Sequence, residues 1–338
     1  MTPSHARPAL ALVTVDAGAA SVDVDGAADT STGVPATAET PFHFCSAAKA
    51  LTAVGTIILA SQGMLDLDAG VGHVLPGAAP DAPEPTLRQL LAHRGGIVDP
   101  PEAFVPAAVT PAVGDVLAGR HIAGIPEVRV RTTPGTAESY SDGGYCVVEA
   151  VVEAATGASF ADVMHGVLFA PLGLERTAFW GGEVTAGARS EVVGRIAGTA
   201  ARGHDAVGTP TGEDRRHYPG LAASGLWSSP ADIAEVLADL GRALAGEESV
   251  LLTPAQAETW STPWPGTATA LGVWRIAQDG THPWVMTQGW GEGFQCQLRW
   301  YPTLGRSVAA VMNADPGAPQ EASAIGRAIA GAMRRTVE

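Results

Sequence analysis

Residues 46–62 read SAAKALTAVGTIILASQ, an apolar segment with a serine at its first position and a lysine, Lys49, three positions later. Small and aliphatic residues fill the segment, no proline interrupts it, and Gly63 follows at a position suited to end a helix. We therefore predict a buried helix over 46–62. Residues three apart lie on one face of a helix, so Ser46 and Lys49 are expected within reach of each other.

Strand-like sequence lies towards both ends of the chain. Residues 9–25 contain two short β-rich runs separated by small residues, a pattern typical of a hairpin. Four further strands are predicted at 268–277, 283–288, 294–302 and 306–314. A final helix is predicted at 319–335. Together these segments predict an α/β (α+β) fold, in which one antiparallel sheet is built from the N- and C-terminal segments and flanked by helices.

The middle of the chain is predicted to be helix and loop. Residues 86–96 (TLRQLLAHRGG) and 143–157 (GGYCVVEAVVEAATG) have helical patterns that end in glycine. We predict that residues 1–63 and 265–338 form the sheet domain. Residues 64–264 are then an inserted, mainly helical domain.

The composition indicates a folded, acidic protein. Of 338 residues, 46% are hydrophobic and 16% are charged, which supplies a core and excludes global disorder. The net charge of −15 disfavours nucleic acid and anionic membranes as partners. No segment has the length of a signal-peptide core or a transmembrane helix, so we expect a soluble, cytoplasmic protein with a small-molecule substrate. The three cysteines, an odd number without a C-x-x-C pair, predict no disulfide framework.

Lys49 is the only lysine in the chain, because the other 19 of its 20 basic residues are arginine. Arginine stays protonated in proteins, whereas a lysine can lose its proton when it is desolvated. A serine at a helix start also meets the positive end of the helix dipole and free backbone N–H groups, which stabilise an oxyanion. Ser46 is therefore a candidate nucleophile with Lys49 as its catalytic amine.

Six motifs follow one another along nearly the whole chain from about residue 8. They are SAAKA (46–50), LDLDAGV (65–71), TLRQLLAHRGGI (86–97), PGTAESYSD (134–142), PLGLERT (171–177) and AASGLWSSPADIA (222–234). In this order they resemble the serine β-lactamase and penicillin-binding-protein superfamily, in the branch of class C β-lactamases, D-aminopeptidases and related esterases. The resemblance implies the same α/β architecture, with the active site between the sheet and the helical domain.

The resemblance also implies catalytic roles. Ser46 matches the acylated nucleophile and Lys49 its partner, while Tyr140 matches the tyrosine of a Tyr-x-Asn motif and shares the general-base role. For an amine to act as base its pKa must fall from ~10.4, or a neighbouring phenolate must take the proton. This chain has Asp142 in place of the motif's asparagine, and an ionised Asp142 would raise the pKa of Lys49. Either Asp142 is protonated, or Lys49 is a cation that positions Tyr140 as base.

A third family motif reads Lys or His, then Thr or Ser, then Gly, on the strand beside the site. Counting back from Gly293-Phe294, which matches the family's following turn, places this motif at residues 287–289, where no cation is present. The resemblance implies that the backbone N–H groups of Ser46 and Trp290 form the oxyanion hole. The implied substrate-binding residues are Asp142, Thr287, Gln288 and Gly289.

These residues predict a serine hydrolase or acyltransferase that works through an acyl-enzyme. The missing cation and the absence of an export signal favour an intracellular esterase, amide hydrolase or biosynthetic transacylase. D-aminopeptidase, D-Ala carboxypeptidase or β-lactamase activity is the alternative. A catalytically degenerate member that binds a ligand without turnover also stays open, and the oligomeric state is not predicted.

Other candidates for chemistry are weaker. The nine histidines form no HExxH or other close ligand pair, and the glycine-rich stretches lack the context of a phosphate loop, so no metal or organic cofactor is expected. His93 is interpreted as a residue that packs or caps at its helix end. Cys45 is interpreted as a small buried residue, since it would be a nucleophile only in another fold.

Overall fold

A computed structural model of the protein describes residues 7–76, 84–100, 102–183, 189–212, 215–278 and 281–334. Its strands, numbered in chain order, are β1 (Leu10–Asp16), β2 (Ala19–Asp25), β3 (Ala27–Asp29), β4 (Val34–Pro35), β5 (Phe42–Cys45), β6 (Ala178–Phe179), β7 (Leu226–Ser228), β8 (Trp274–Ile276), β9 (Trp284–Gly291), β10 (Phe294–Tyr301) and β11 (Arg306–Met312). Its helices are α1 (Ala48–Ser61), α2 (Leu87–Leu91), α3 (Val113–Leu117), α4 (Asp142–Thr156), α5 (Phe160–Met164), α6 (Ser190–Thr199), α7 (Leu221–Ser224), α8 (Pro230–Leu244), α9 (Pro254–Ser261) and α10 (Ala324–Arg334).

The main sheet has six antiparallel strands in the order β2-β1-β11-β10-β9-β8. The N-terminal hairpin of β1 and β2 pairs with β11, so that Leu10 lies opposite Met312 and Asp16 lies opposite Arg306. The sheet therefore joins the two ends of the chain. This confirms the predicted α/β fold with an antiparallel sheet built from both terminal segments.

A helix covers each face of this sheet. Leu10 and Leu12 of β1 point towards α10, where they pack with Ile325 and Ile329. Val13 and Val15 of the same strand belong to the larger core on the other face, where α8 lies against β1 and β11. Because successive side chains of a strand point to opposite faces, β1 contributes apolar residues to the core on both sides of the sheet. Within the described ranges, no helix combines the length and hydropathy needed to cross a membrane.

Several predicted elements have other bounds in the structure. The helix predicted over 86–96 spans only Leu87–Leu91, and His93 just after it takes a left-handed conformation with φ 57°. The strand predicted at 268–277 shortens to Trp274–Ile276, because Gly272 takes a left-handed turn with φ 72° just before it. The final helix begins at Ala324 rather than 319, after a short 3₁₀ turn, and its predicted last residue, 335, lies outside the described part.

The proposed division into domains stays a prediction. Helix α8 lies inside the segment 64–264 but packs on the main sheet, whereas α1 lies inside the segment 1–63 but packs on α7 and α9. Each of the two predicted domains therefore has a helix that packs against the other domain.

A second, smaller sheet positions the start of α1. Its strand order is β5-β7-β6, and β5 leads directly into Ser46. Strand β9 of the main sheet packs across β5 so closely that a Cβ atom on Gly289 would overlap the carbonyl oxygen of Phe44. Glycine at 289 thus permits the two sheets to meet beside the serine.

We expect Gly289→Ala to lower the free energy of unfolding by about 1–3 kcal/mol, because the added methyl group forces β9 away from β5. Gly194→Ala is the matched control, since nothing lies within 4 Å of a Cβ at that position of α6. There alanine should stabilise the helix by up to about 1 kcal/mol. Urea unfolding of both variants measures the difference, and equal stabilities would contradict the close approach.

Candidate active site

Ser46 lies in a sharp turn between β5 and α1. Cys45, the residue before it, has φ 46°, a left-handed conformation that is unfavourable for a residue with a side chain. The helix begins at Ala48, two residues later than predicted, and Ser46 is partly exposed while its neighbours on both sides are buried. The turn thus presents the Ser46 hydroxyl at the N-terminal, electropositive end of α1.

Lys49 is buried, with 2% of its surface exposed, and oxygen atoms surround its amine. Its Nζ atom lies 2.5 Å from Oδ1 of Asp142 and donates a hydrogen bond to the carbonyl oxygen of Ala223 at 2.9 Å. The rings of Tyr140 and Tyr145 lie 4.8 and 5.4 Å away, close enough for cation–π attraction. All four contacts favour the ammonium form.

The pKa of Lys49 reflects a competition between burial and charge. Burial acts to lower this pKa, but the negative charge of Asp142 and the interaction with Tyr140 outweigh it, and the pKa is raised above its usual value. The geometry therefore favours one of the two alternatives left by the sequence: Lys49 is a cation.

Tyr140 connects Lys49 to the serine. The residue is 47% exposed, its ring lies 4.8 Å from the Lys49 amine, and its hydroxyl interacts with that amine and with the hydroxyl of Ser46. Burial raises the pKa of Tyr140, while the Lys49 cation and hydrogen bonding to Lys49 and Ser46 act to lower it. The phenol is thus in contact with the two groups between which a catalytic proton would move.

Asp99 holds the segment that carries Tyr140 and Asp142. Its carboxylate accepts hydrogen bonds from Ser141 Oγ at 2.7 Å and from the backbone N–H of Asp142 at 2.5 Å, and a longer one from Gly143 N–H. It therefore binds the N-terminus of α4, where a negative charge is stabilised. Asp99 belongs to none of the sequence motifs, and sequence analysis missed it.

His93 supports the same segment from the other side. Its Nδ1 accepts a hydrogen bond from Ser141 N–H at 3.2 Å, its carbonyl oxygen accepts one from Ser139 N–H at 2.8 Å, and its ring packs 4.4 Å from that of Tyr140. Burial, with help from the Lys49 charge, lowers the pKa of His93 to about 3. The imidazole is therefore neutral. The residue packs as predicted, and it also positions Tyr140.

The third motif is placed on β9, and its members have different surroundings. Gly289 faces β5, Thr287 is 1% exposed on the same face, and Gln288 lies on the opposite face of the strand. The Gln288 side-chain oxygen accepts a hydrogen bond from Gln297 of β10 at 3.2 Å. Substrate binding by Thr287, Gln288 and Gly289 stays a prediction, and the side chain of Gln288 is also bound to the neighbouring strand.

The end of β9 reaches the turn before the serine. A Cβ atom on Gly291 would lie 2.8 Å from Cys45 Sγ and 2.9 Å from the hydroxyl of Tyr218. Strand β8 pairs with residues 284–286 alone, so no strand of the described part pairs with the outer edge of 287–291. An oxyanion hole formed by the N–H groups of Ser46 and Trp290 stays a prediction, and this free edge is compatible with it.

The cysteines are not arranged for catalysis or metal binding. Cys45, Cys146 and Cys296 are buried free thiols, and burial raises the pKa of each of them. A protonated buried thiol is a poor nucleophile, which agrees with the interpretation of Cys45 as a small core residue. Among the described residues, no group of three or more His, Cys, Asp or Glu side chains is placed to hold a metal ion.

Comparisons with known proteins identify a family and several related proteins. A model of the Beta-lactamase family matches residues 1–332. Penicillin-binding protein 4 of Amycolatopsis lactamdurans is 34% identical over 150 residues, which are 43% of this chain and 38% of that protein. The D-aminopeptidase of Gluconobacter oxydans (strain 621H) is 30% identical over 153 residues, which are 45% of this chain and 28% of that protein. The chain thus spans well under half the length of these two relatives.

Solved structures show the same fold. The D-amino acid amidase from Ochrobactrum anthropi SV3, in a complex with D-phenylalanine, superposes with a TM-score of 0.74 at 20% identity. The match covers 98% of this chain and 95% of the amidase. At this identity the likeness establishes the architecture of the chain and nothing about its substrate.

The low pKa of His93 makes a prediction about stability in acid. The unfolded chain binds a proton at His93 below its usual pKa near 6.5, whereas the folded protein does so only near pH 3, so this residue makes stability fall as pH drops through that window. We expect His93→Asn, which tolerates φ 57° and keeps an acceptor, to flatten this fall in urea unfolding. The exposed His282→Asn is the control, and identical slopes for His93→Asn and wild type would contradict the assignment.

Proposed function

The chain belongs to the Beta-lactamase family, and from that premise we propose that it is a serine hydrolase that forms an acyl-enzyme on Ser46. The observation that carries the proposal is the position of Tyr140, whose ring lies 4.8 Å from the Lys49 amine and whose hydroxyl interacts with both that amine and Ser46. A nucleophile, a base and a cation that stabilises the base form one chain of contacts. Its substrate is a small ester or amide.

In the proposed mechanism Tyr140 is the base and Lys49 stabilises its phenolate. The phenolate takes the proton of Ser46 as Oγ attacks the substrate carbonyl carbon, and the N–H groups of Ser46 and Trp290 stabilise the resulting oxyanion. The intermediate collapses, the bond to the leaving group breaks, and Tyr140 returns the proton to that group. Water then attacks the acyl-enzyme by the same route. The base is expected to contribute on the order of 10²–10⁴ in rate and an oxyanion donor about 10²–10³.

The charges near Ser46 favour a substrate without a carboxylate at the scissile bond. Asp142 contributes a carboxylate beside the Lys49 amine, and Thr287 stands where the family motif has a cation. We therefore propose a neutral ester or amide, or one that carries an amine near the acyl group. An esterase, amide hydrolase or transacylase is the first candidate, because each would work through this acyl-enzyme. Amide hydrolysis of the D-aminopeptidase kind is the second, favoured by the relative of that name and by the Asp142 carboxylate.

Covalent labelling tests the nucleophile. We expect a fluorophosphonate to add once to the wild-type protein, at Ser46, and not to add to Ser46→Ala, as measured by intact mass and peptide mapping. Ser61→Ala, which changes an exposed serine at the other end of α1, is the control and should be labelled like wild type. Labelling that persists in Ser46→Ala, or that moves to Cys45, would refute the assignment. A wild-type protein that is not labelled would indicate a degenerate, ligand-binding member of the family.

Asp142→Asn tests the role of the carboxylate. Its negative charge raises the pKa of both Lys49 and Tyr140, so its removal lowers both values and makes more of the base available near neutral pH. We expect acylation to be faster at pH 7, and its rise with pH to shift to lower values. The ratio of kcat/KM for a carboxylate-bearing ester to that for its neutral analogue should increase about tenfold, an effect of about 1.4 kcal/mol. A wild-type preference for the carboxylate substrate would contradict the proposal.

A further inference from the structure

The four-residue helix α7 is bound by three side chains at its C-terminal end. Its last carbonyl groups accept hydrogen bonds from residues on α1 and β5, which replace the intrahelical partners that the end of a helix lacks. The pairs are Ala222 O with Thr52 Oγ1 at 2.8 Å, Ala223 O with Lys49 Nζ at 2.9 Å and Ser224 O with His43 Nε2 at 2.6 Å. The position of α7 therefore fixes one of the oxygen atoms that contact the Lys49 amine.

Glu149 of α4 holds the other end of α7. It is 3% exposed, and its Oε2 accepts a hydrogen bond from the backbone N–H of Ala222 at 2.9 Å, while its carboxylate also accepts one from Leu221 N–H. Glu149 lies seven positions after Asp142, so both lie on one face of α4. Helix α4 thus determines two contacts of the Lys49 amine: Asp142 directly, and the Ala223 carbonyl by way of α7.

We propose that Glu149 is a positioning residue, which holds α7 so that the Ala223 carbonyl keeps the Lys49 ammonium group against Tyr140. The inference rests on the proposed serine hydrolase mechanism, in which that ammonium stabilises the phenolate of Tyr140. A shift of α7 displaces the carbonyl, and small displacements of catalytic groups cost large factors in rate. Because Glu149 contacts neither Ser46 nor Tyr140, it acts through the backbone of α7 alone.

The ionisation of Glu149 gives this role a measurable pH dependence. Burial raises its pKa to about 8, against the opposing effect of the backbone hydrogen bonds. Above that pH the carboxylate accepts both N–H groups, and below it the added proton weakens this hold. The titratable groups around it are Cys146 and Glu153 on α4 and, across α7, Lys49 and His43; Cys146 and Lys49 have raised pKa values and His43 has one of about 3.

The test compares the pH dependence of turnover of a neutral ester by wild type, Glu149→Gln and Glu153→Gln from pH 6 to 10. For wild type we expect a rise in kcat through about pH 8, in addition to the slope set by Tyr140. Glu149→Gln should lower kcat about tenfold at pH 9, leave KM within about twofold and lose the rise near pH 8. Glu153→Gln makes the same chemical change one turn further along α4, where the side chain binds Phe160 N–H instead of α7, and should keep the kcat of wild type at pH 9. Because the charge of Glu153 helps to raise the pKa of Glu149, the rise should persist in this variant and move to a somewhat lower pH.

A second pair of variants keeps the test decisive if Glu149→Gln does not fold. Thr52→Val removes the hydrogen bond to Ala222 O and should lower kcat with little change in KM. Thr56→Val is its control, because that hydroxyl bonds to its own helix, and should keep wild-type kcat. A folded Glu149→Gln with wild-type kcat and an unchanged rise near pH 8, or Thr52→Val with wild-type kcat, would overturn the inference. Absence of fluorophosphonate labelling at Ser46 in wild type would overturn the hydrolase proposal itself, and the inference with it.

Discussion

The buried ion pair between Lys49 and Asp142 is the interaction on which the site depends. A lysine amine is removed from water here, which is costly unless opposite charge and hydrogen-bond acceptors replace the solvent. Asp142 supplies the charge and the Ala223 carbonyl an acceptor. The same arrangement keeps the proton on Lys49 and, in the proposed mechanism, leaves Tyr140 as the base. The pairing that makes burial of the amine possible would then also determine which residue acts as base.

Several candidate residues of this site could be predicted from the sequence, because short spacings and ordered motifs mark them. Ser46 and Lys49 are three positions apart, and Tyr140 follows from an ordered set of motifs, so spacing and resemblance suffice to propose them as candidates. The chain has a single lysine, which makes Lys49 the candidate amine. The consequence of Asp142 could also be stated in advance, as two alternatives, since a carboxylate beside an amine has few possible effects.

The supporting residues could not be predicted, because they act on backbone atoms far away in the sequence. Asp99 binds N–H groups of α4, and Glu149 binds an N–H of α7, 73 positions later. Any residue type can supply a backbone N–H or carbonyl group, so such pairs leave no pattern in the sequence. The motif likewise gives the position of Gln288 on its strand but not its hydrogen-bond partner, which is Gln297 of the neighbouring strand.

The pairing of β1 with β11 means that the sheet beside Ser46 is complete only after the C-terminal strands have been synthesised. The ion pair between Asp16 and Arg306 joins residues 290 positions apart, and β9, which lies beside the serine turn, enters the same sheet. Contacts between residues so far apart in the sequence form late in folding, because a large loop must be ordered before they form. A nascent chain leaving the ribosome with the serine and lysine already synthesised therefore lacks the strand that completes their surroundings. The surroundings of Ser46 are therefore completed by the last strands of the chain, and the acylation proposed above would have to wait for them.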